Sequence, residues 1–92
     1  MVKNNVIVTV VGKNRAGVLS EVTTAIANLG GNIMDISQKM LSGYFNLIMI
    51  VEMLKVKIGL IDFKKKLEEL GDKKGYKISV QHEKVFHYMH RI

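Results

Sequence analysis

The chain contains no cysteine, no proline and no tryptophan among its 92 residues. The absence of cysteine excludes disulfides, thiolate metal sites, redox dithiols and a cysteine nucleophile. A chain of this length without a disulfide buries a thin core and gains much from a partner subunit. No run approaches the roughly 20 apolar residues of a membrane span, and the N-terminus does not resemble a signal peptide. We therefore expect one cytoplasmic domain over residues 1–92 that forms a homodimer or a larger assembly.

The net charge of +6 is concentrated in one segment. Residues 55–77 carry eight lysines and four acids, a net of +4, whereas residues 1–54 carry four basic and three acidic side chains, a net of +1. A basic segment can contact nucleic acid or an acidic membrane, but lysines interleaved with acids are more typical of a solvated helix face. Hydrophobic residues make up 48% of the chain, which supports a globular core.

The apolar residues alternate in some segments and recur with helical spacing in others. The predicted strands span residues 5–11, 32–41, 44–53 and 76–82, and the predicted helices span 18–29 and 59–74. The partial alternation over 32–41 predicts a half-buried strand, and Gly30-Gly31 supplies the left-handed cap that ends the first helix. This βαββαβ order predicts an α+β ferredoxin-like sandwich, a four-stranded antiparallel sheet with two helices on one face. Residues 83–92 carry apolar positions with helical spacing, which predicts a short C-terminal helical tail.

The first and third strands are apolar on both faces, although only one sheet face is expected to carry helices. On the first strand one face carries Ile7 and Val11 and the other Val6, Val8 and Val10; on the third strand one face carries Ile48 and Ile50 and the other Phe45, Leu47, Met49 and Val51. An exposed apolar face of this size requires a cover. Either the tail, residues 83–92, folds across it or another subunit does, and the sequence leaves both open.

No arrangement of residues indicates catalysis. His87 and His90 have the spacing of one helical face, but two histidines without a nearby carboxylate are weak evidence for a metal. None of the serines lies in the strand–turn–helix context of a nucleophile elbow. We predict no catalytic residue, no metal site and no cofactor, and hence a protein that is not an enzyme.

An RNA-binding domain is the alternative that shares this topology. Residues 42–49 (SGYFNLIM) overlap the aromatic third-strand pattern of such domains at Gly43, Tyr44 and Leu47, and lysines 55–77 would supply charge. However, Phe45 occupies a position that should be small, and the first strand contains no aromatic residue. Without stacking platforms, the main energetic term for single-stranded RNA is missing, so we expect no nucleic-acid partner.

The loop before the first helix carries the clearest functional signal. Gly17 at the helix start allows a ligand to approach the backbone, and the first-turn N–H groups are unpaired donors. Together with the helix dipole, they form a site for a phosphate or a carboxylate. The alternative is a tight turn in which Gly17 only packs against the sheet.

Residues 8–38 resemble the opening half of an ACT domain, a family of small-molecule regulatory modules. The family's D-R-P-G-L/I turn matches Asn14-Arg15-Ala16-Gly17-Val18, and its G-x-N-I strand start matches Gly30-Gly31-Asn32-Ile33. Over its whole length the chain is similar to the stand-alone ACT proteins of the UPF0237 family. Similar modules lie at the front of formyltetrahydrofolate deformylase and in the glycine-cleavage regulator.

The resemblance implies a homodimer that binds an amino acid at the seam between subunits and regulates another protein. The ligand-binding residues that it implies are Asn14, Arg15, Ala16, Gly17, Val18 and Leu19 in one subunit and Asn32, Ile33 and Met34 in the other. The chain departs from the family pattern at Asn14, which removes an acid, and at Ala16, which makes the loop less rigid. A pure dimerisation module with an empty loop is the alternative.

Overall fold

A computed structural model describes residues 5–13 and 16–84. The elements in chain order are β1 (Asn5–Lys13), α1 (Val18–Asn28), β2 (Asn32–Leu41), β3 (Tyr44–Glu52), α2 (Leu60–Lys74) and β4 (Lys77–His82). All six predicted elements are present, with boundaries that differ by a residue or two at most. Most of the predicted helical tail, residues 85–92, lies outside the described residues, so the tail and its covering role stay predictions.

The four strands form one antiparallel sheet in the order β2-β3-β1-β4. β1 and β3 are therefore central, and β2 and β4 are the edges. Buried side chains of both helices join a single core with one face of this sheet, so both helices lie on the same side. The predicted ferredoxin-like sandwich is confirmed.

The core lies between the helices and the inner face of the sheet. On β1 and β3 the inner face alternates with the strand period of two, and α1 and α2 contribute positions three to four residues apart. The buried apolar side chains of this core are Val6, Val8, Val10, Val18, Val22, Ile26, Phe45, Leu47, Met49, Val51, Phe63, Leu67, Tyr76, Ile78 and Val80. The structure thus decides which face of β1 and β3 the helices cover, because the sequence is apolar on both faces of these strands.

The two glycines after α1 end the helix in a Schellman motif. Gly30 has a φ of 95°, its N–H donates to Ala27 O at 3.0 Å, and the N–H of Gly31 donates to Ile26 O at 2.9 Å. A Cβ on Gly30 would also lie only 2.5 Å from Lys55 O. Gly30 therefore allows the segment after β3 to lie directly against the end of α1.

The outer sheet face and the edge strand β2 are more unevenly buried than the alternation predicted. Ile7 is buried at 4% exposure, whereas Val11 and Ile48 on the same face are 40% and 37% exposed. Residues of β2 other than Ile33 are exposed on both faces. The expectation of a half-buried β2 is wrong for a single chain, because β2 is an edge strand that α1 covers only at its start.

Gly71 provides a test of how closely α2 packs on β4. It is buried near the C-terminal end of α2. A Cβ at this position would clash with the Tyr76 carbonyl oxygen and lie 3.3 Å from Ile78 Cγ1. Alanine favours a helix over glycine by about 1 kcal/mol, but overpacking costs about 1–3 kcal/mol. We expect Gly71→Ala to lower the free energy of unfolding in urea. The control is Gly59→Ser, at a helix start with open space around the Cβ, which should leave the free energy of unfolding unchanged or raise it. If both substitutions changed the free energy of unfolding equally, the packing argument would be contradicted.

Candidate functional site

The loop between β1 and α1 forms the first half of the predicted site. Gly17 is the N-cap residue of α1, with a φ of 89° and no side-chain hydrogen bond capping the helix. Among the residues that the structure describes, and leaving aside its two chain neighbours, no heavy atom lies within 4 Å of the position that a Cβ on Gly17 would take. Glycine is therefore used here for its backbone conformation and its open approach, not for packing against the sheet. Asn14 and Arg15 lie outside the described residues, and their assignment stays a prediction.

The first turn of α1 presents backbone donors to solvent. Within the described residues, the first α1 amide with a backbone acceptor is that of Glu21, whose N–H donates to Gly17 O at 2.9 Å. The preceding amides have no acceptor inside the helix, as at every helix start. Val18 is 5% exposed and its side chain belongs to the core, so only its backbone can serve the site, whereas Leu19 is 41% exposed. An anion at this position would also interact favourably with the helix dipole.

Glu21, in the first turn of α1, contacts residues at the end of α2 and just before β4. Its carboxylate accepts a hydrogen bond from the Tyr76 hydroxyl at 3.3 Å, and the Lys74 ammonium lies 3.9 Å from Glu21 Oε2. Both contacts are long and partly exposed, so each contributes little to stability. Because of these contacts, the Glu21 carboxylate points toward β4 and the end of α2.

The start of β2 forms the second half of the predicted site. Asn32 is exposed, and its Nδ2 donates to Glu52 Oε1 at 3.3 Å across the β2–β3 pair. Ile33 packs partly against the core, and Met34 is half exposed. The register between β2 and β3 shifts by one residue between Ile33 and Asp35, a bulge that reorients the strand at this point.

A cavity of about 400 Å³ opens beside Asn32 at this end of the sheet. Its lining residues are Ala27, Gly30, Gly31, Asn32, Glu52 and Lys55. The sequence analysis did not single out Glu52 or Lys55. The available signal was Glu52 itself, an acid in the otherwise apolar and neutral run YFNLIMIVEM. Lys55 could not be anticipated, since its place depends on the contact of its backbone with Gly30.

The two halves of the predicted site lie at opposite ends of α1 in one chain. Gly17 precedes the helix and Asn32 follows it, and 11 helical residues span about 16 Å. One small ligand cannot contact both ends within a single chain. The structure thus brings Gly17, Val18 and Leu19 together, and separately Asn32, Ile33 and Met34, but does not join the two groups.

The described part of the chain gives no support for a metal site, a membrane-spanning helix or an RNA-binding surface. No group of three or more histidine, aspartate or glutamate side chains is arranged to hold a metal among the residues that the structure describes. In residues 5–13 and 16–84, no helix has both the length and the apolar character to cross a membrane. Phe45 is buried in the core, and on the outer face of β3 the aromatic ring is that of Tyr44. A base-stacking surface would need further rings on that face.

Together, these observations define a small α+β sandwich whose first helix begins at a glycine without a side-chain cap. The family model of the ACT domain matches residues 4–81. A UPF0237 protein of Methanococcus maripaludis is 43% identical over 88 residues, which cover 96% of this chain and 98% of that protein. The chain belongs to the ACT domain family, and within it to the UPF0237 proteins.

Two solved structures agree with this assignment. An ACT domain protein from Streptococcus pneumoniae superposes with a TM-score of 0.81 at 35% identity, covering 90% of this chain and 93% of that one. A formyltetrahydrofolate deformylase from Pseudomonas syringae superposes with a TM-score of 0.80 at 14% identity, covering 89% of this chain and 28% of the enzyme. The second similarity shows the shared fold alone.

The conformation of Gly17 can be tested without any ligand. Because φ is 89° and the surrounding space is open, Gly17→Ala should lose stability by backbone strain, about 1–2 kcal/mol. Gly17→Asn should lose less, since asparagine tolerates left-handed backbone better than alanine does. Urea denaturation of both variants measures the difference. A loss as large for asparagine as for alanine would show that side-chain contacts, not φ, set the requirement for glycine.

Proposed function

We propose that the chain is a non-catalytic regulatory module that binds a small ligand, an amino acid, at the seam of a homodimer. The observation that carries this proposal is the separation of the two half-sites by the length of α1. A second copy can supply the missing half to each, so that a complete site requires two chains. The alternative of a pure dimerisation module would leave the same seam empty.

The edge strand β2 is the surface on which a second copy would dock. Ile36 and Met40 lie on the helix side of β2, opposite Met49 and Phe45 of β3, yet they are 41% and 50% exposed. Leu19 adds exposed apolar surface at the start of α1. An exposed apolar edge strand also carries unpaired backbone groups and invites pairing with another strand. Two copies would extend the four-stranded sheet to eight strands.

A two-fold axis between two β2 strands would bring the start of α1 of one protomer next to the start of β2 of its partner. When two β2 strands pair antiparallel, the start of one lies near the end of the other. β1 runs antiparallel to β3, and β3 runs antiparallel to β2, so β1 and β2 finish at the same end of the sheet. Because α1 follows β1, the start of α1 lies at that end too, beside the end of β2. Gly17 of one protomer would therefore face Asn32 of its partner.

The two half-sites suit the two ends of an amino acid. The amides of Gly17, Val18 and Leu19 would hold the carboxylate, as helix starts hold anions, and Asn32 would face the ammonium group. By the family resemblance, Asn14, Arg15 and Ala16 would also face the ligand carboxylate. Because the family's proline is replaced by Ala16, ordering this loop costs additional entropy on binding. Binding at the seam would stabilise the paired state by mass action and alter docking on a regulated protein.

A thermal-shift screen of the twenty amino acids tests ligand binding directly. A ligand that binds the folded dimer at 100 times its Kd stabilises it by about 2.7 kcal/mol, which raises the melting temperature of a domain of this size by several degrees. We expect such a shift with at least one amino acid. A dimeric protein that shifts with none of them would be a dimerisation module.

The loop assignment is tested by Gly17→Val in the presence of an amino acid identified by that screen. Valine at positive φ distorts the backbone, so the affinity should fall by at least about tenfold, or about 1.4 kcal/mol. Isothermal titration measures the change. Gly43→Val, in the turn between β2 and β3 with a φ of 81°, is the matched control for strain elsewhere. Unchanged affinity in Gly17→Val would show that the ligand binds elsewhere.

The seam is tested by Ile36→Lys. A lysine on the helix side of β2 would place a charge in the apolar part of the interface, so the dimer should dissociate at micromolar concentration. Ser37→Lys, one residue along and opposite Ile48 on the outer face, is the matched control and should leave the dimer intact. Sedimentation equilibrium distinguishes the two. Dissociation in neither variant would place the interface on another surface.

A further inference from the structure

Three acceptor-bearing side chains lie in a row across the sheet end that contains Asn32. Asn5 on β1 is the register partner of Glu52 on β3, and Glu52 is in turn the partner of Asn32 on β2. Opposite residues on neighbouring strands have Cβ atoms about 4.5–5.5 Å apart. The row therefore places a carboxylate between two carboxamides. Of the three residues, Asn32 and Glu52 line the 400 Å³ cavity, whereas Asn5 lies beside Glu52 outside the lining.

Hydrogen bonding leaves this row with more acceptors than donors. Asn32 Nδ2 donates to Glu52 Oε1, which occupies one of the four acceptor positions of the carboxylate. Asn5 is 6% exposed, and its buried Oδ1 has no hydrogen-bond partner among the described residues, so it cannot offset the negative charge of Glu52. An unsatisfied buried acceptor costs about 1–3 kcal/mol. A surplus of acceptors around a carboxylate favours a cationic donor, and an ammonium group with three N–H bonds is such a donor.

Lys55 adds the opposite charge to the same cavity. The close contact between Lys55 O and Gly30 holds this residue beside the end of α1. Among the described residues, no ion pair joins Lys55 to Glu52. The cavity thus presents one carboxylate and one ammonium group that do not neutralise each other directly. The Lys55 ammonium group would also keep the cavity from repelling the ligand carboxylate, which the proposed function places at the start of α1 of the partner.

We propose that Glu52 receives the ammonium group of the ligand, so that the site accepts zwitterionic α-amino acids and rejects the corresponding hydroxy acids. This inference rests on the proposed function, in which the ligand carboxylate lies at the start of α1 of the partner. Glu52 then supplies the negative charge that Asn14 does not provide in the loop. Glu52 is half-buried, so its contact with an ammonium group is partly shielded from solvent and stronger than one at the surface.

The test compares amino acids with analogues in which a hydroxyl replaces the ammonium group. The probes are glycine and glycolate, L-alanine and L-lactate, and L-phenylalanine and L-phenyllactate, each titrated by calorimetry into the unmodified chain. Losing a hydrogen bond to a charged group costs about tenfold or more in affinity. We expect at least one amino acid of these pairs to bind at least about tenfold more tightly than its hydroxy acid.

The variant Glu52→Gln keeps the shape of the side chain and removes its charge. We expect the affinity for the amino acid to fall to that for the hydroxy acid, while the affinity for the hydroxy acid stays the same. Glu52→Asp should retain part of the preference for the amino acid. Glu68→Gln, an exposed acid on α2, is the matched control and should change neither affinity.

The outcomes separate this inference from the function on which it rests. Equal binding of amino acid and hydroxy acid by the unmodified chain, or a preference that survives in Glu52→Gln, would overturn the role of Glu52. Either result would leave carboxylate binding at the start of α1 intact. If no member of the three pairs binds, both the role of Glu52 and amino-acid binding are overturned for these ligands.

Discussion

Burial of the inner faces of β1 and β3 beneath two helices is the interaction on which the rest of the structure depends. The central strands contribute a row of nearly inaccessible valine, leucine and methionine side chains, and α1 and α2 cover them with Val22, Ile26, Phe63 and Leu67. At about 0.8 kcal/mol per buried CH₂, this layer is the dominant favourable term for so short a chain. It also fixes α1 along the sheet, so that the helix start and the helix end have defined positions.

The same packing leaves the helix side of β2 largely uncovered. Two helices cannot cover a four-stranded sheet to both edges, and the strand order places β2 at one edge. Its apolar residues on the helix side, Ile36 and Met40, are therefore exposed in a single chain. A small domain without disulfides gains from burying such surface in an oligomer, and under the proposed function the two predicted half-sites at the ends of α1 would give that association a functional consequence. Stability and ligand binding would then depend on the same seam.

Local sequence predicted the fold well because each element follows a simple period. Strands β1 and β3 were recognised from β-branched and apolar runs, and α1 from its stripe ending at Gly30, whose positive φ closes the helix as expected. The burial of β2 was predicted wrongly, since alternation reports which face is apolar and not whether another element covers it. Of the candidate site, the sequence indicated Gly17 and Asn32 but missed Glu52 and Lys55. These two reach the cavity through the β2–β3 register and the contact at Gly30, which are not local properties.

The sequence by itself determined the element order and the conformational demands of the glycines, because periodicity and left-handed backbone depend on neighbouring residues. Only the tertiary structure decided which strand is an edge, which apolar residues remain exposed and which polar residues meet at the sheet end. Those features depend on pairing between residues far apart in the chain, as between Asn5, Glu52 and Asn32. The tertiary structure also showed that the half-sites lie a full helix apart, since α1 separates them within one chain.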